Sequence, residues 1–190
     1  SETAGGSLYY NAKSGNCYSG QSNATKACNF TSTGIKNATT RNLISDTIYY
    51  LGGHNSFSVY PNQVYEKERG TTVYSGRPTE WTGKIALAYP SDYGYAADLG
   101  KCSQNLNNYN NSTCTSNNWM KAIVAPNYGW LLTPRSGIAS NVWYVYSSGG
   151  VYYNSYVYNA YGVAPVLFLN SDANVKSGTG TSSDPYQISV

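Results

Sequence analysis

Hydrophobic positions come in short bursts whose period changes every few residues, separated by Gly, Pro, Ser and Asn. Residues 1–40 are polar and weakly periodic: 7–10 predicts a strand and the rest predicts loop. Residues 40–51 mix helical and strand signals and end at Gly52-Gly53. Residues 61–69 predict a helix, because Pro61 presets the first turn, Glu66 and Lys67 favour helix, and Gly70 is suited to the stop. A short strand is expected at 71–74, before a Ser-Gly-Arg-Pro turn. The apolar run Ile85-Ala86-Leu87-Ala88, within 84–89 and closed by Pro90, predicts a buried strand. Ser91 is suited to an N-cap, with Asp92 in the first turn, so 91–98 predicts a short helix. A further helix is expected at 117–124, and a strand at 130–133 ending at Pro134.

Residues 141–147 then alternate. Trp143 and Val145 share one face; Val142, Tyr144 and Tyr146 share the other. Ser148-Gly149-Gly150 suits a hairpin turn, with a return arm at 151–156. The run Val163-Ala164-Pro165-Val166-Leu167-Phe168-Leu169 predicts a central buried strand with Pro165 at its start or at a bulge. A Gly/Ser/Thr-rich loop leads to a last short strand. The sum is an α+β fold without the strand–helix alternation of a parallel doubly wound sheet.

Composition sharpens one segment. From Ser136 to Ser171 the chain carries no Asp, Glu, Lys or Arg, yet Tyr144, Tyr146, Tyr152, Tyr153, Tyr156, Tyr158 and Tyr161 fall within it. Tyr gives a large, stiff, amphipathic contact area, and Ser, Gly and Asn give adaptable hydrogen bonds; antibody paratopes use that mixture. So many tyrosines exceed what one face of a hairpin buries, and clustered exposed aromatics mark interaction sites. A tyrosine-rich face packed on a neighbouring subunit is the structural alternative. The tryptophans Trp81, Trp119, Trp130 and Trp143 are expected in the core or at its rim.

Charge and cysteine usage exclude several classes. Net charge is +3, with twelve Lys and Arg scattered rather than clustered, which argues against nucleic acid. No apolar run approaches the roughly 20 residues of a membrane span, so membrane contact by this fragment is not expected. The start, Ser1-Glu2-Thr3-Ala4-Gly5-Gly6, reads as mature or truncated. Cys17 with Cys28, and Cys102 with Cys114, read as two local disulfides in an oxidising compartment. Gaps of ten or more residues within each pair disfavour a zinc site, and no spaced acidic loop for calcium is present. Asn-x-Ser/Thr at Asn23, Asn29, Asn37, Asn110 and Asn111 is near chance in so Asn-rich a chain.

Catalytic candidates are sparse. His54, the single histidine, sits in Gly52-Gly53-His54-Asn55 without a nucleophile elbow and reads as a loop residue. Glu80 beside Trp81 is an arrangement that sugar sites use, but a glycosidase needs a second carboxylate facing it. No phosphate loop or dinucleotide fingerprint is present. No enzymatic activity, cofactor or metal is expected.

Longer stretches carry a resemblance. They are Tyr49-Tyr50-Leu51-Gly52-Gly53; Tyr65-Glu66-Lys67-Glu68-Arg69-Gly70; and the run from Trp81-Thr82-Gly83-Lys84 to Tyr93-Gly94-Tyr95-Ala96. They continue with Trp130-Leu131-Leu132-Thr133-Pro134, Gly162 to Leu169, and Gly178-Thr179-Gly180 to Asp184-Pro185-Tyr186. From about residue 40 to the end the chain resembles the variable proteins of diversity-generating retroelements, a family of gut-bacterial surface proteins. That resemblance implies a C-type lectin fold of the formylglycine-generating-enzyme-like subclass. A polar N-terminal segment (1–40) with a disulfide loop would lead into or pack on a lectin-like domain (41–190) with its variable region at about 130–165. It also implies a secreted or cell-surface adhesin or receptor-binding module whose ligand is a protein or glycan on another cell or host surface. Some relatives follow a pilin-like N-terminal helix, so pilus subunits are a further implied partner.

The positions implied to vary and to bind ligand are Arg135, Gly137, Ile138, Asn141, Tyr144, Tyr146, Tyr152, Tyr153, Asn154, Tyr156, Tyr158, Asn159 and Tyr161. Trp130, Pro134, Trp143, Val145, Val151, Gly162 and Pro165 would be framework. The chain departs from many relatives at Ala164, where they carry Arg before the proline, which removes any anchoring role of that Arg. The related enzymes use reactive cysteines, and that activity does not carry over. Two alternatives remain: a minor pilin or structural subunit, and a carbohydrate-active hydrolase using Glu80.

Overall fold

The computed structural model describes residues 16–18, 24–27, 37–181 and 183–189. It is mixed α and β, with a few short helices and several short antiparallel strands. In chain order the elements are β1 (Asn16–Tyr18), β2 (Ala24–Ala27), α1 (Ala38–Asn42), β3 (Thr47–Tyr50), α2 (Pro61–Glu68), β4 (Glu80–Gly83), β5 (Ile85–Leu87) and α3 (Pro90–Tyr95). A 3-10 turn (Leu106–Asn108) follows, then α4 (Ser112–Thr115), α5 (Lys121–Val124), β6 (Gly129–Pro134), β7 (Asn141–Val145), β8 (Val151–Tyr156), β9 (Pro165–Leu167), β10 (Asn174–Ser177) and β11 (Gln187–Ser189). The expected strand at 7–10 and the Cys17–Cys28 bridge lie outside the described residues.

The largest sheet among the described residues is β6-β7-β8, all antiparallel. The described residues also form four two-stranded pairs: β1-β2, β3-β4, β5-β9 and β10-β11. The alternation in β7 produces the expected sides. Trp143 and Val145 enter the main core with Leu131, Val151, Tyr93, Tyr109, Leu106 and Val64. Val142 and Tyr144 join a second cluster around Trp130. Both sides of β7 are therefore covered, and all five of its residues are buried. Burying each apolar side chain among them stabilises by roughly 1.5–3 kcal/mol.

Local chemistry sets the boundaries. In α2, Pro61 occupies the first turn, where its missing N–H costs nothing, and Gln63 accepts the Tyr60 N–H at 2.9 Å. For α3 the cap lies two residues before the expected Ser91: the Tyr89 N–H bonds Asp92 Oδ2 at 2.9 Å and Pro90 opens the helix. The hairpin turn forms as the glycines predict. Gly149 has φ +101°, and a Cβ there would meet Thr115 Cγ2 at 2.7 Å, so both conformation and space require glycine. Gly129 begins β6 where a Cβ would lie 1.8 Å from the Val124 carbonyl oxygen at the end of α5.

Several expectations fail for identifiable reasons. Residues 71–74 form no strand; Glu80–Gly83 pairs with β3 instead. The helix expected at 117–124 is confined to α5. The strand expected at 163–169 is neither central nor buried. Within the run, Pro165–Leu167 pairs with β5 and Leu169 forms an isolated antiparallel bridge to Ile44, and Pro165 has no N–H for a second ladder. Val163, Ala164 and Val166 pack against the cores, whereas Leu167, Phe168 and Leu169 are exposed, Phe168 by 54%. Its partner β5 is half-buried rather than buried. Trp130 and Trp143 are core residues, but Trp81 and Trp119 are exposed, Trp119 by 68%.

Candidate functional site

The β6-β7-β8 sheet carries an aromatic mosaic on the side opposite Trp143. Its floor is Trp130 and Tyr144, 1% and 8% exposed. Around them stand Tyr128, Tyr152 and Tyr161, each partly exposed, and Tyr146, 38% exposed. The rings touch in a continuous network. Tyr161 stacks on Tyr128 at 4.8 Å and meets Trp130 at 4.6 Å and Tyr144 at 5.5 Å. Tyr146 meets Tyr128 edge-on at 4.8 Å and Tyr152 at 6.2 Å, and Tyr152 lies 6.1 Å from Tyr144. Edge-to-face and offset contacts of this kind add about 0.5–1.5 kcal/mol per pair beyond burial.

Backbone geometry fixes this arrangement. Register pairs Tyr144 with Tyr152, and an irregularity between Val142 and Tyr144 then puts Ser155 opposite Val142. A parallel bridge joins Gly129 to Gly162, with the Trp130 N–H donating to Gly162 O and the Gly162 N–H to Tyr128 O. That bridge brings Tyr161 and Tyr128 onto the sheet face. Hydrogen bonds finish the frame: Tyr144 Oη donates to Asn154 Oδ1 (3.3 Å), Tyr152 Oη to Asn107 O (3.2 Å), and Asn159 Nδ2 to Ser155 Oγ (3.0 Å) and Tyr161 Oη (3.4 Å).

The mosaic is electrically neutral. Burial, with smaller contributions from Tyr161, Tyr152, Tyr146 and Tyr128, pushes the Tyr144 phenol up to about 12. Interaction with the Tyr146 hydroxyl raises that of Tyr128 as well. The surface offers π faces and hydroxyl tips without a formal charge.

The thirteen expected contact residues do not form one surface. Tyr144, Tyr146, Tyr152, Asn154, Asn159 and Tyr161 belong to the mosaic. Arg135 lies elsewhere, its Nε donating to Asn55 Oδ1 (2.6 Å) and its guanidinium 4.5 Å over the Tyr153 ring. Exposed Gly137 and Ile138 follow it in the β6–β7 turn, where a Cβ on Gly137 would meet the Asn55 amide at 2.9 Å. Tyr156 and Tyr158 form a separate exposed stack, 5.1 Å apart and 7° from parallel.

Three of the expected contact positions are corrected to buried: Asn141, Tyr144 and Tyr153. Tyr153 points into the main core, stacking on Phe57 at 4.1 Å and meeting Trp143 at 5.5 Å. Asn141 is covered at the start of the central strand, where its carbonyl accepts from the Arg135 N–H. Tyr144 is covered by its neighbouring tyrosines. Counting tyrosines overlooked that tyrosines bury one another. Conversely, Tyr128 belongs to the mosaic although it precedes the charge-free segment; its aromatic neighbour Trp130, two residues on, was the available signal.

The acidic groups divide cleanly. Glu80 is exposed on β4, opposite Tyr50. Glu68 is fully buried, accepting from Ser91 N (2.9 Å), Ser91 Oγ and Arg69 Nη1 (3.3 Å). It binds the first turn of α3 from the end of α2. Burial raises its carboxyl to about 7, the Ser91 bonds and Arg69 opposing and Asp92 adding. Glu68 has no exposed surface. His54 is partly buried beside Trp143 (6.2 Å), and burial with nearby Lys67 lowers its pKa. Cys102 and Cys114 are disulfide-bonded and buried. Among the described residues no three His, Cys, Asp or Glu are placed to hold a metal ion, and no helix is long and apolar enough to cross a membrane.

No family model, curated protein or solved structure matches this chain.

Proposed function

We propose that this chain is a surface-displayed recognition module in which a rigid β frame presents the tyrosine mosaic and its satellites to a protein or glycan ligand. The observation that carries this reading is the mosaic: six contiguous aromatic rings, charge-free, partly open to solvent and backed by a buried sheet. Aromatic anchors with a polar surround dominate binding energy at interfaces. The finer assignment belongs to the same proposal: a C-type lectin fold of a retroelement-diversified variable protein, secreted or at the cell surface. Its support is the alternation of buried Val145 and Val151 with partly exposed Tyr146 and Tyr152 at the adjacent positions.

Two experiments test it. The neighbouring DNA is expected to hold a reverse-transcriptase gene and a template repeat that matches codons near 130–165 and differs only at adenines. Its absence ends the retroelement assignment and leaves the binding reading intact. For that reading, Tyr146, Tyr156 and Tyr158 are replaced together by Ala, and labelled protein is scored on a panel of bacterial and epithelial cells. The native protein is expected to bind at least one cell type and the variant to lose that binding with an unchanged fold. Equal binding by both, or binding by neither, refutes it.

A second reading, a structural subunit assembling with copies of itself, draws on a different surface. Leu167, Phe168 and Leu169 are exposed, as are Ile48 and Trp81, and Phe168 and Trp81 both adjoin the Tyr49 ring. Concentration-dependent sedimentation that Phe168→Asp abolishes supports this reading. A strict monomer at high concentration counts against it.

A further inference from the structure

Four tyrosines of the mosaic close a circuit. Tyr128, Tyr146, Tyr152 and Tyr144 follow one another with ring centres 4.8, 6.2, 6.1 and 6.4 Å apart, the last distance returning to Tyr128. Tyr146 stands nearly perpendicular to Tyr128 and Tyr152, at 78° and 81°. Tyr144 is tilted by only 30° and 39° to the same two rings. Tyr144 is thus the base of a shallow dish and Tyr146 its upright wall.

The hydroxyls of these rings are largely engaged. Tyr144 and Tyr152 donate into the frame, to Asn154 Oδ1 and Asn107 O. Tyr128 and Tyr146 interact with each other through theirs, and Tyr161 Oη accepts from Asn159 Nδ2. What remains for a ligand is electron-rich: π faces and hydroxyl oxygen lone pairs. The chain places no cation of its own there. Ser136 to Ser171 contains no Lys or Arg. Among the described residues, the guanidiniums lying over tyrosine rings are Arg69, over Tyr50, Tyr65 and Tyr89, and Arg135, over Tyr153. None of those rings belongs to the mosaic, yet the Arg135–Tyr153 contact, at 4.5 Å, is made one residue along β8 from Tyr152.

We propose, resting on the recognition reading above, that the mosaic takes a protein ligand by an arginine side chain, its guanidinium laid in the tyrosine dish. A cation within roughly 6 Å of a ring centre is attracted by the ring quadrupole, and a circuit this tight puts more than one centre in reach of one group. Guanidinium is planar, weakly hydrated and stacks on aromatic faces. It carries donors and no acceptor, which matches a surface whose lone pairs remain and whose donors are largely spent. A sugar hydroxyl both donates and accepts, so it would find few donors here. A carboxylate or phosphate would meet no cation. A neutral apolar group would cover the phenol oxygens without a donor for them, which is costly.

The probe is Nα-acetyl-arginine amide. The comparisons are Nα-acetyl-citrulline amide, which is neutral and nearly the same shape, Nα-acetyl-leucine amide and methyl N-acetylglucosaminide. Each is titrated into the intact protein carrying ¹³C-labelled tyrosine rings. The arginine probe is expected to shift the Tyr146 and Tyr152 ring signals saturably with Kd of about 1–10 mM, the range open to so small a ligand. Each comparison should bind at least about fivefold more weakly. Tyr146→Phe keeps the π face and should leave the Kd within about twofold, whereas Tyr146→Leu should weaken it at least about fivefold. Tyr152→Leu repeats the test on a second ring should Tyr146→Leu disturb the fold, and the citrulline comparison decides the point on the native protein alone. The proposal is overturned if the arginine probe leaves these signals unmoved, if any comparison binds as tightly, or if Tyr146→Phe weakens binding as much as Tyr146→Leu. Cell binding that persists without an arginine shift overturns this inference alone, whereas absence of cell binding overturns the recognition reading on which it rests.

Discussion

Replacing Glu68 by Gln should erase one specific part of the pH dependence of stability. In the folded chain this carboxyl titrates at about 7, against an ordinary value of 4.5, chiefly because burial disfavours its charge. A raised carboxyl pKa means that the folded state holds the proton where the unfolded chain has lost it. The contribution of Glu68 to stability is therefore greatest below pH 4.5, falls as pH rises from 4.5 to 7, and stays low above 7. At 1.36 kcal/mol per pKa unit the loss is about 3 kcal/mol. The carboxamide in Glu68→Gln would keep an acceptor for the Ser91 N–H and gain a donor for Ser91 Oγ, with no proton to lose. Urea unfolding of both proteins at steps between about pH 4.5 and 8 measures the effect. His54, whose pKa burial lowers, titrates in both proteins and cancels in the difference. The variant should gain on the native chain by about 3 kcal/mol across the window. Parallel profiles, or a native chain that gains with rising pH, refute the assignment of Glu68 as a desolvated carboxyl.

Other expectations follow from the same packing. Tyr144→Ala should cost about 3–5 kcal/mol, as large-to-small core changes do, whereas Tyr158→Ala should cost under about 1 kcal/mol; equal losses in thermal unfolding would mean that the floor and satellite distinction is wrong. Gly149→Val should destabilise by more than about 1 kcal/mol through the left-handed turn and the Thr115 contact, visible as a lowered Tm. Reducing the Cys102–Cys114 bond, which closes a short loop (sequence separation 12), should lower stability by about 3 kcal/mol, and denaturation with and without reductant checks it.

Elements with strong local chemistry were legible in the sequence. Pro61 and Gly70 bracketed α2 closely, and the β7–β8 hairpin followed from alternation plus Gly149-Gly150. What escaped depends on partners distant in sequence. The apolar run at 163–169 reads as central only if strands flank it on both sides, and here β5 is the one strand that pairs with it, beside a single bridge from Leu169 to Ile44. Tyr153 and Tyr156 look alike in the chain, yet Phe57, nearly a hundred residues away, covers the first. Tyr128 joins the mosaic because Gly129 bridges Gly162, a pairing that no local pattern announces. Glu68 is buried because Ser91, 23 residues on, binds it, a contact that the local pattern of α2 does not announce.

The ring network also constrains variation. If Tyr146, Tyr152 and Tyr161 are exchanged, each exchange alters the support beneath its neighbours, because every one of these rings touches at least two others. Free combination at these sites would generate many members with a collapsed or uncovered Trp130. Under the proposed reading, substitutions at these positions would be correlated, a small residue at one calling for a large one beside it. Tyr156 and Tyr158, coupled mainly to each other, would tolerate exchange at far less cost. The packing therefore divides the surface into two units, the linked mosaic and the satellite pair.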